Sequence, residues 1–143
     1  MQLTLPDRKT ENVFDRALDI LREHGWCRGY LEDSRGRVCA GGAVRRAVRD
    51  ITPLVFTKYT FEEREQIFDA QAVLDQVATE LWPEIAAMET VSLQNEGVPI
   101  QGVFTLVNDN PNTTQADIER MLRAASDQLE GTPATIDETA PTE

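Results

Sequence analysis

The stretch Thr60-Phe61-Glu62-Glu63 constrains the fold more than any other, because it is a helix start that local chemistry sets in advance. The Thr60 hydroxyl can accept from the amide of Glu63 while the Glu63 carboxylate reaches back to the amide of Thr60. This reciprocal pair satisfies two of the donors that a helix N-terminus leaves open. Ile67, Ala70, Leu74, Val77, Ala78 and Leu81 then recur at three- and four-residue spacing up to Trp82, where Pro83 breaks or kinks the run and Glu84 to Met88 can add a turn. A helix of this kind must bury its apolar stripe against other elements.

The flanking sequence offers such elements. Val13, Phe14, Ala17, Leu18 and Leu21 predict a helix starting after Thr10 and running to His24, with Gly25 placed to cap it. Gly29 and the polar run Glu32-Asp33-Ser34-Arg35-Gly36-Arg37 argue against a helix in the next segment, where Tyr30-Leu31 and Val38 can flank a short hairpin. Helical spacing returns at Val38 or Cys39, with Cys39, Ala43, Val44, Ala47, Val48 and Ile51 on one side, Arg45, Arg46 and Arg49 on the other, and Pro53 as the stop. Gly41-Gly42 weakens the first turn by about 1 kcal/mol per residue relative to alanine, which asks for a packing reason.

Near the C-terminus, Thr113-Thr114 caps a last helix whose Ile118, Met121, Leu122, Ala125 and Leu129 face inward, with Gly131 as its stop. Residues 89–107 admit two solutions, a hairpin turning at Asn95-Glu96-Gly97 or a helix opened by Pro99 with Ile100, Val103, Phe104 and Val107 on one face. The helix is slightly favoured. The expected fold is therefore mainly α, a compact bundle of four to five helices with room for a small β-hairpin. A single domain is expected over residues 1–131, followed by an acidic, Thr/Pro-rich flexible tail over residues 132–143, where too little apolar surface is present to offset ordering.

Length and charge narrow the function classes. A chain of 143 residues buries roughly two-thirds of its unfolded surface, so neither disulfide nor metal is required for folding, and Cys27 and Cys39 read as two reduced thiols. No apolar run approaches the roughly 20 residues needed to cross a bilayer, which makes the cytoplasm the default location and a membrane association unexpected. The net charge of −11 is unevenly placed: residues 1–58 carry eleven Lys/Arg against eight Asp/Glu, whereas residues 59–143 carry three against seventeen. The acidic half disfavours nonspecific contact with nucleic acid and favours solubility or a basic protein partner.

Several residues could carry chemistry. His24, Cys27 and Cys39, with Asp109 as a fourth ligand, fall short of the paired close spacing that structural zinc sites use, so no metal or other cofactor is expected. Cys39 at a helix N-terminus could have its thiolate favoured by the dipole, with His24 as base and Asp109 as orienter. The plainer reading makes both thiols small core hydrophobes, Trp26 a core residue, and Asn108-Asp109 a turn whose side chains satisfy backbone amides. Arg45, Arg46 and Arg49, with Arg28, Arg35 and Arg37, could form a basic face that contacts phosphates, or could pair with the acidic half of the same chain or of a second copy.

Two stretches stand out together: Gly25-Trp26-Cys27-Arg28-Gly29 followed by Val38-Cys39-Ala40-Gly41-Gly42-Ala43, and Val107-Asn108-Asp109-Asn110-Pro111-Asn112-Thr113-Thr114. This combination resembles a family of small proteins of unknown function from actinobacteria and their phages. The resemblance rests on a Trp-Cys pair closing the first helix, a Cys-x-x-Gly-Ala entry to the second, and an Asn-Asp-x-Pro loop before a capped last helix. It covers roughly residues 11–130 and departs at Val107, where the family usually has Trp. It implies a compact helical fold and transfers no activity.

The candidate residues are thus Trp26, Cys27, Cys39, Gly42, Asn108 and Asp109 as a motif or pocket, and Arg45, Arg46 and Arg49 as a basic face. The leading expectation is a non-enzymatic phage or actinobacterial accessory protein that binds a protein partner, or a second copy, through an acidic surface. The alternatives are a cysteine-dependent enzyme or small-molecule binder centred on Cys27, Cys39 and Asn108-Asp109, and nucleic-acid binding through Arg28–Arg49.

Overall fold

A computed structural model of the chain describes residues 12–51, 54, 58–87, 92–95 and 98–138, and among these the chain is mainly helical. The elements run α1 (Val13–His24), α2 (Ala40–Val48), α3 (Phe61–Leu81), α4 (Pro83–Ala86), β1 (Ser92–Asn95), β2 (Val98–Gln101), α5 (Val103–Asp109) and α6 (Gln115–Glu138). The strands pair antiparallel, Ser92 opposite Gln101 and Asn95 opposite Val98.

Local chemistry explains several of the helix ends. Asn12 caps α1, its side chain accepting from the amides of Phe14 and Asp15, and the Gly25 amide closes the helix on the Leu21 carbonyl at 2.8 Å. The reciprocal cap of α3 forms as its sequence predicts, with Glu63 N to Thr60 Oγ1 at 3.1 Å and Thr60 N to Glu63 Oε1 at 2.8 Å. At the start of α6 the Thr114 amide donates to Asp117 at 3.0 Å and the Asp117 amide donates to the Thr114 hydroxyl at 3.3 Å.

Several expectations need correction. Six helices are present among the described residues where four to five were expected, because Pro83 opens the one-turn α4 and a separate α5 follows β2. No helix starts at Pro99: Pro99 and Ile100 belong to β2, and Gly102, at φ 99°, turns the chain into α5. Asp75 of α3 sets that turn. Its carboxylate accepts from the Phe104 amide at 3.1 Å, and any side chain at Gly102 would collide with it.

The second helix stops at Val48, and Ile51 is exposed rather than inward-facing, because Arg49 is extended and reaches Glu63. Leu129 is 40% exposed rather than buried, and the backbone of α6 stays helical past Gly131 to Glu138. One glycine disfavours a helix by only about 1 kcal/mol, which is too little to stop a helix by itself.

The core is one large cluster, with a smaller one formed by Tyr59 and Ile67 against Val48. Phe14, Ala17 and Leu21 of α1 pack on Ala40, Ala43, Val44 and Ala47 of α2, while Leu74, Val77 and Ala78 of α3 meet Phe104 and Val107 of α5 and Ile118, Met121 and Leu122 of α6. Polar ties fix the orientation of these helices. Asn12 Nδ2 donates to Ser126 Oγ at 3.0 Å and to Glu130 at 2.9 Å, while the Ser126 hydroxyl donates to Asp15 at 2.6 Å, so α1 and α6 are joined at one end.

The two-bond pair between Arg49 and Glu63, at 3.1 and 2.9 Å, links the end of α2 to the start of α3. The Arg49 guanidinium and the Thr60 amide hold the Glu63 carboxyl below its ordinary 4.5. An acid with a depressed folded pKa contributes stability that is present above its unfolded value and lost as pH falls through the folded one. Arg49→Gln is expected to change stability little at neutral pH, since a partly exposed pair is screened by solvent, and to remove the part of the stability loss below pH 4.5 that belongs to this pair, measured by urea unfolding across pH.

Candidate functional site

The site is built where α1 ends, α2 begins and α5 stops. Leaving Gly25, the chain runs extended through Trp26 and Cys27 and returns alongside itself at Val38: the Cys27 amide donates to the Val38 carbonyl at 3.0 Å and the Val38 amide to the Gly25 carbonyl at 2.9 Å. The intervening loop folds onto Asp33, whose Oδ1 accepts from the amides of Arg35 and Arg37 and whose other oxygen accepts from the Arg37 guanidinium at 2.7 Å. The Cys39 amide donates to the Leu31 carbonyl at 3.2 Å. That carbonyl explains Gly42, since a Cβ there would overlap the Leu31 oxygen.

Asn108, in the last turn of α5 and 2% exposed, joins these pieces. Its Oδ1 accepts from Trp26 Nε1 at 2.8 Å and from the Ala40 amide at 3.0 Å, and its Nδ2 donates to the Cys27 carbonyl at 3.2 Å and to Asp109 Oδ1 at 3.0 Å. Asp109 also accepts from the Gly29 amide at 2.9 Å. The two sequence motifs therefore meet in space, and the side chain of one asparagine bonds to the first helix exit, the second helix entry and its own neighbour. Val107, immediately before it, is fully buried in the core.

Arg28 completes the arrangement, and sequence reasoning gave it no such role. Its guanidinium lies 4.6 Å from the Trp26 ring centroid and donates to the carbonyls of Asn110, Pro111 and Thr113, closing the Asn-Asp-x-Pro loop over the motif. A signal existed in its two-residue separation from Trp26: in an extended segment such residues share a side.

Both cysteines are free thiols at this junction. Cys27 Sγ lies 3.4 Å from the Tyr30 carbonyl and 3.3 Å from that of Arg37, and Cys39 caps α2 through its sulfur, which accepts from the Gly42 amide at 3.3 Å. Burial pushes the Cys27 thiol up to about 12, with the neighbouring Cys39 and Asp33 adding to the rise. Burial also raises Cys39, against the opposing pull of the Gly42 amide. The Cys39 residue keeps a partly open surface, but the effect of burial outweighs that of the Gly42 amide, so the helix end does not bring out its thiolate. His24, 30% exposed on its side chain, stands beside Glu23, and no group of three His, Cys, Asp or Glu side chains among the described residues is arranged to hold a metal.

A cavity of about 80 Å³ borders the motif, lined by Gly29, Leu31, Cys39, Phe104, Asn108 and Asp109 among others. At about 30 Å³ per water it has room for two or three waters. A larger groove of about 310 Å³ lies elsewhere, floored by Phe14, Ala47, Val48, Ala70 and Val73, and none of the motif residues reaches it.

Arg45, Arg46 and Arg49 do not form an open basic face. Arg45 is fully enclosed, Arg46 is 8% exposed and donates to Asp50 at 2.6 and 2.9 Å, and Arg49 is bound to Glu63. The helix carrying them is surrounded, so residues that alternate with its apolar positions are buried too.

Fold and site together define a small, mainly helical protein whose two sequence motifs are locked to each other through one buried asparagine. The chain belongs to a family of unknown function (DUF6197), whose model matches residues 5–128 and so spans both motifs. No curated protein and no solved structure matches it.

Asn108→Ala leaves the Ala40 amide and the Trp26 indole without their acceptor and is expected to destabilise the fold by about 2–4 kcal/mol, read from chemical unfolding with Trp fluorescence. The raised thiols predict that the folded protein reacts with a thiol reagent at pH 8 far more slowly than the same chain in denaturant. Because the unfolded thiols ionise near 9.0 and the folded ones higher, stability is also expected to fall as pH rises from 9.0 toward 12, and Cys27→Ser to flatten that decline.

Proposed function

We propose that the chain is a non-enzymatic accessory protein of an actinobacterium or its phage, working in the cytoplasm by binding another protein through its acidic surface. The observation that carries this reading is the internal use of the motif. Asn108, Asp109, Cys27, Cys39 and Arg28 bond to backbone groups and to one another, which is the chemistry of a structural lock. Burial raises both thiols above their ordinary range, which disfavours a cysteine nucleophile.

The charge distribution supports the same reading. Residues 59–143 carry seventeen acidic against three basic side chains, and Glu62, Glu65, Asp69, Glu80, Glu84 and Asp127 are exposed. The enclosure and pairing of Arg45, Arg46 and Arg49 weigh against nucleic acid as the partner. No helix among the described residues is long and apolar enough to cross a membrane.

Immobilised chain incubated with an actinobacterial lysate is expected to retain a basic protein at low salt and to release it as salt is raised. Retention of nothing at low or moderate salt, or salt-sensitive retention of DNA or RNA instead, overturns this reading.

A further inference from the structure

We propose that the outward face of α3 is the docking surface, and that it takes a basic amphipathic helix of a partner protein, with Phe61 and Phe68 as apolar anchors. This inference rests on the protein-binding reading above and gives it a location. Phe61 is 64% exposed and Phe68 44% exposed. They stand seven residues apart, two helical turns or about 10 Å, and therefore share one stripe. The core-facing stripe of the same helix is already complete with Ile67, Ala70, Leu74, Val77 and Ala78. The two phenylalanines lie roughly a quarter-turn or more away from it, so folding does not use them fully.

Charge says what covers this stripe. Glu65 lies between the two rings in sequence and on the same side of the helix, and Asp69 lies one residue beyond Phe68; both are exposed and neither makes an ion pair or hydrogen bond among the described residues. Glu62 is exposed as well, although a carboxylate in a first turn is favoured by the helix dipole and carries less weight. The one basic residue of α3, Arg64, donates to the Tyr59 carbonyl at 2.8 Å and is partly buried. An aromatic pair edged by unpaired carboxylates repels nucleic acid and anionic lipid, and complements a segment that sets apolar side chains between lysines or arginines. Exposed phenylalanine rings also accept cations on their faces.

The experiment is a fluorescence-anisotropy titration of the full chain with a labelled helix-forming peptide bearing leucines at i, i+3, i+4 and i+7 and lysines and arginines on both flanks. Binding at low salt is expected to weaken at least about tenfold in Phe61→Ser/Phe68→Ser and in Glu65→Lys/Asp69→Lys. Both pairs are exposed, and unchanged unfolding midpoints would show that the fold is intact. The charge-matched control Glu84→Lys/Asp127→Lys is expected to leave binding within about twofold. Weakening by the control but not by the α3 variants would overturn this docking face while leaving an acidic protein-binding surface standing. Failure of the peptide to bind the wild-type chain, together with an empty lysate capture, would overturn both. Self-association lost in Phe61→Ser/Phe68→Ser would replace the basic partner with a second copy.

Discussion

The side-chain amide of Asn108 is the interaction on which the rest of the arrangement depends. It is nearly inaccessible to water, and each of its two polar atoms has two partners, drawn from three separate parts of the chain. A buried amide with both ends satisfied is tolerated where the same group unpaired would be costly, and its directionality allows only one arrangement of the surrounding backbone. Through it the exit of α1, the entry of α2 and the end of α5 share one geometry. The Leu31 carbonyl over Gly42 and the Arg28 clamp on the loop after Asp109 are consequences of the same close approach.

The charges divide into two populations with different physics. In the first half of the chain, arginines are drawn inward or into ion pairs: Arg46 with Asp50, Arg49 with Glu63, Arg28 onto an indole and three carbonyls. Their cost of desolvation is offset by bidentate or multiple hydrogen bonds, for which guanidinium is suited. In the second half, several acids on α3 remain in water without such partners.

Much of the helical layout was legible because helix ends are local chemistry. The Thr60/Glu63 cap and the Thr114/Asp117 cap need only residues within one turn, and α1 begins and ends within a few residues of its expected limits. The entry to α5 was not legible, since the residue that sets it, Asp75, lies 29 positions away from Phe104. The early end of α2 has the same cause: Arg49 leaves the helix for a carboxylate fourteen positions on. Periodicity also misjudged Ile51 and Leu129, because a pattern can place a side chain on the inner side of a helix without saying how far the neighbouring elements extend to cover it.

The candidate site shows the same division. Trp26, Cys27, Cys39, Gly42, Asn108 and Asp109 could be singled out as residue types in an ordered pair of motifs, and the local preferences of Asn and Asp for backbone amides were evident from the residues alone. Sequence by itself determined the mainly helical character, the caps and the imbalance of charge, all of which depend on neighbours within one turn or on composition. Only the tertiary structure decided that Asn108 faces Trp26 and Ala40, that Arg45 is enclosed while Phe68 is not, and that burial raises both thiols. Burial and hydrogen-bond pairing between residues some 70 to 80 positions apart follow from how helices pack, and no local pattern encodes that.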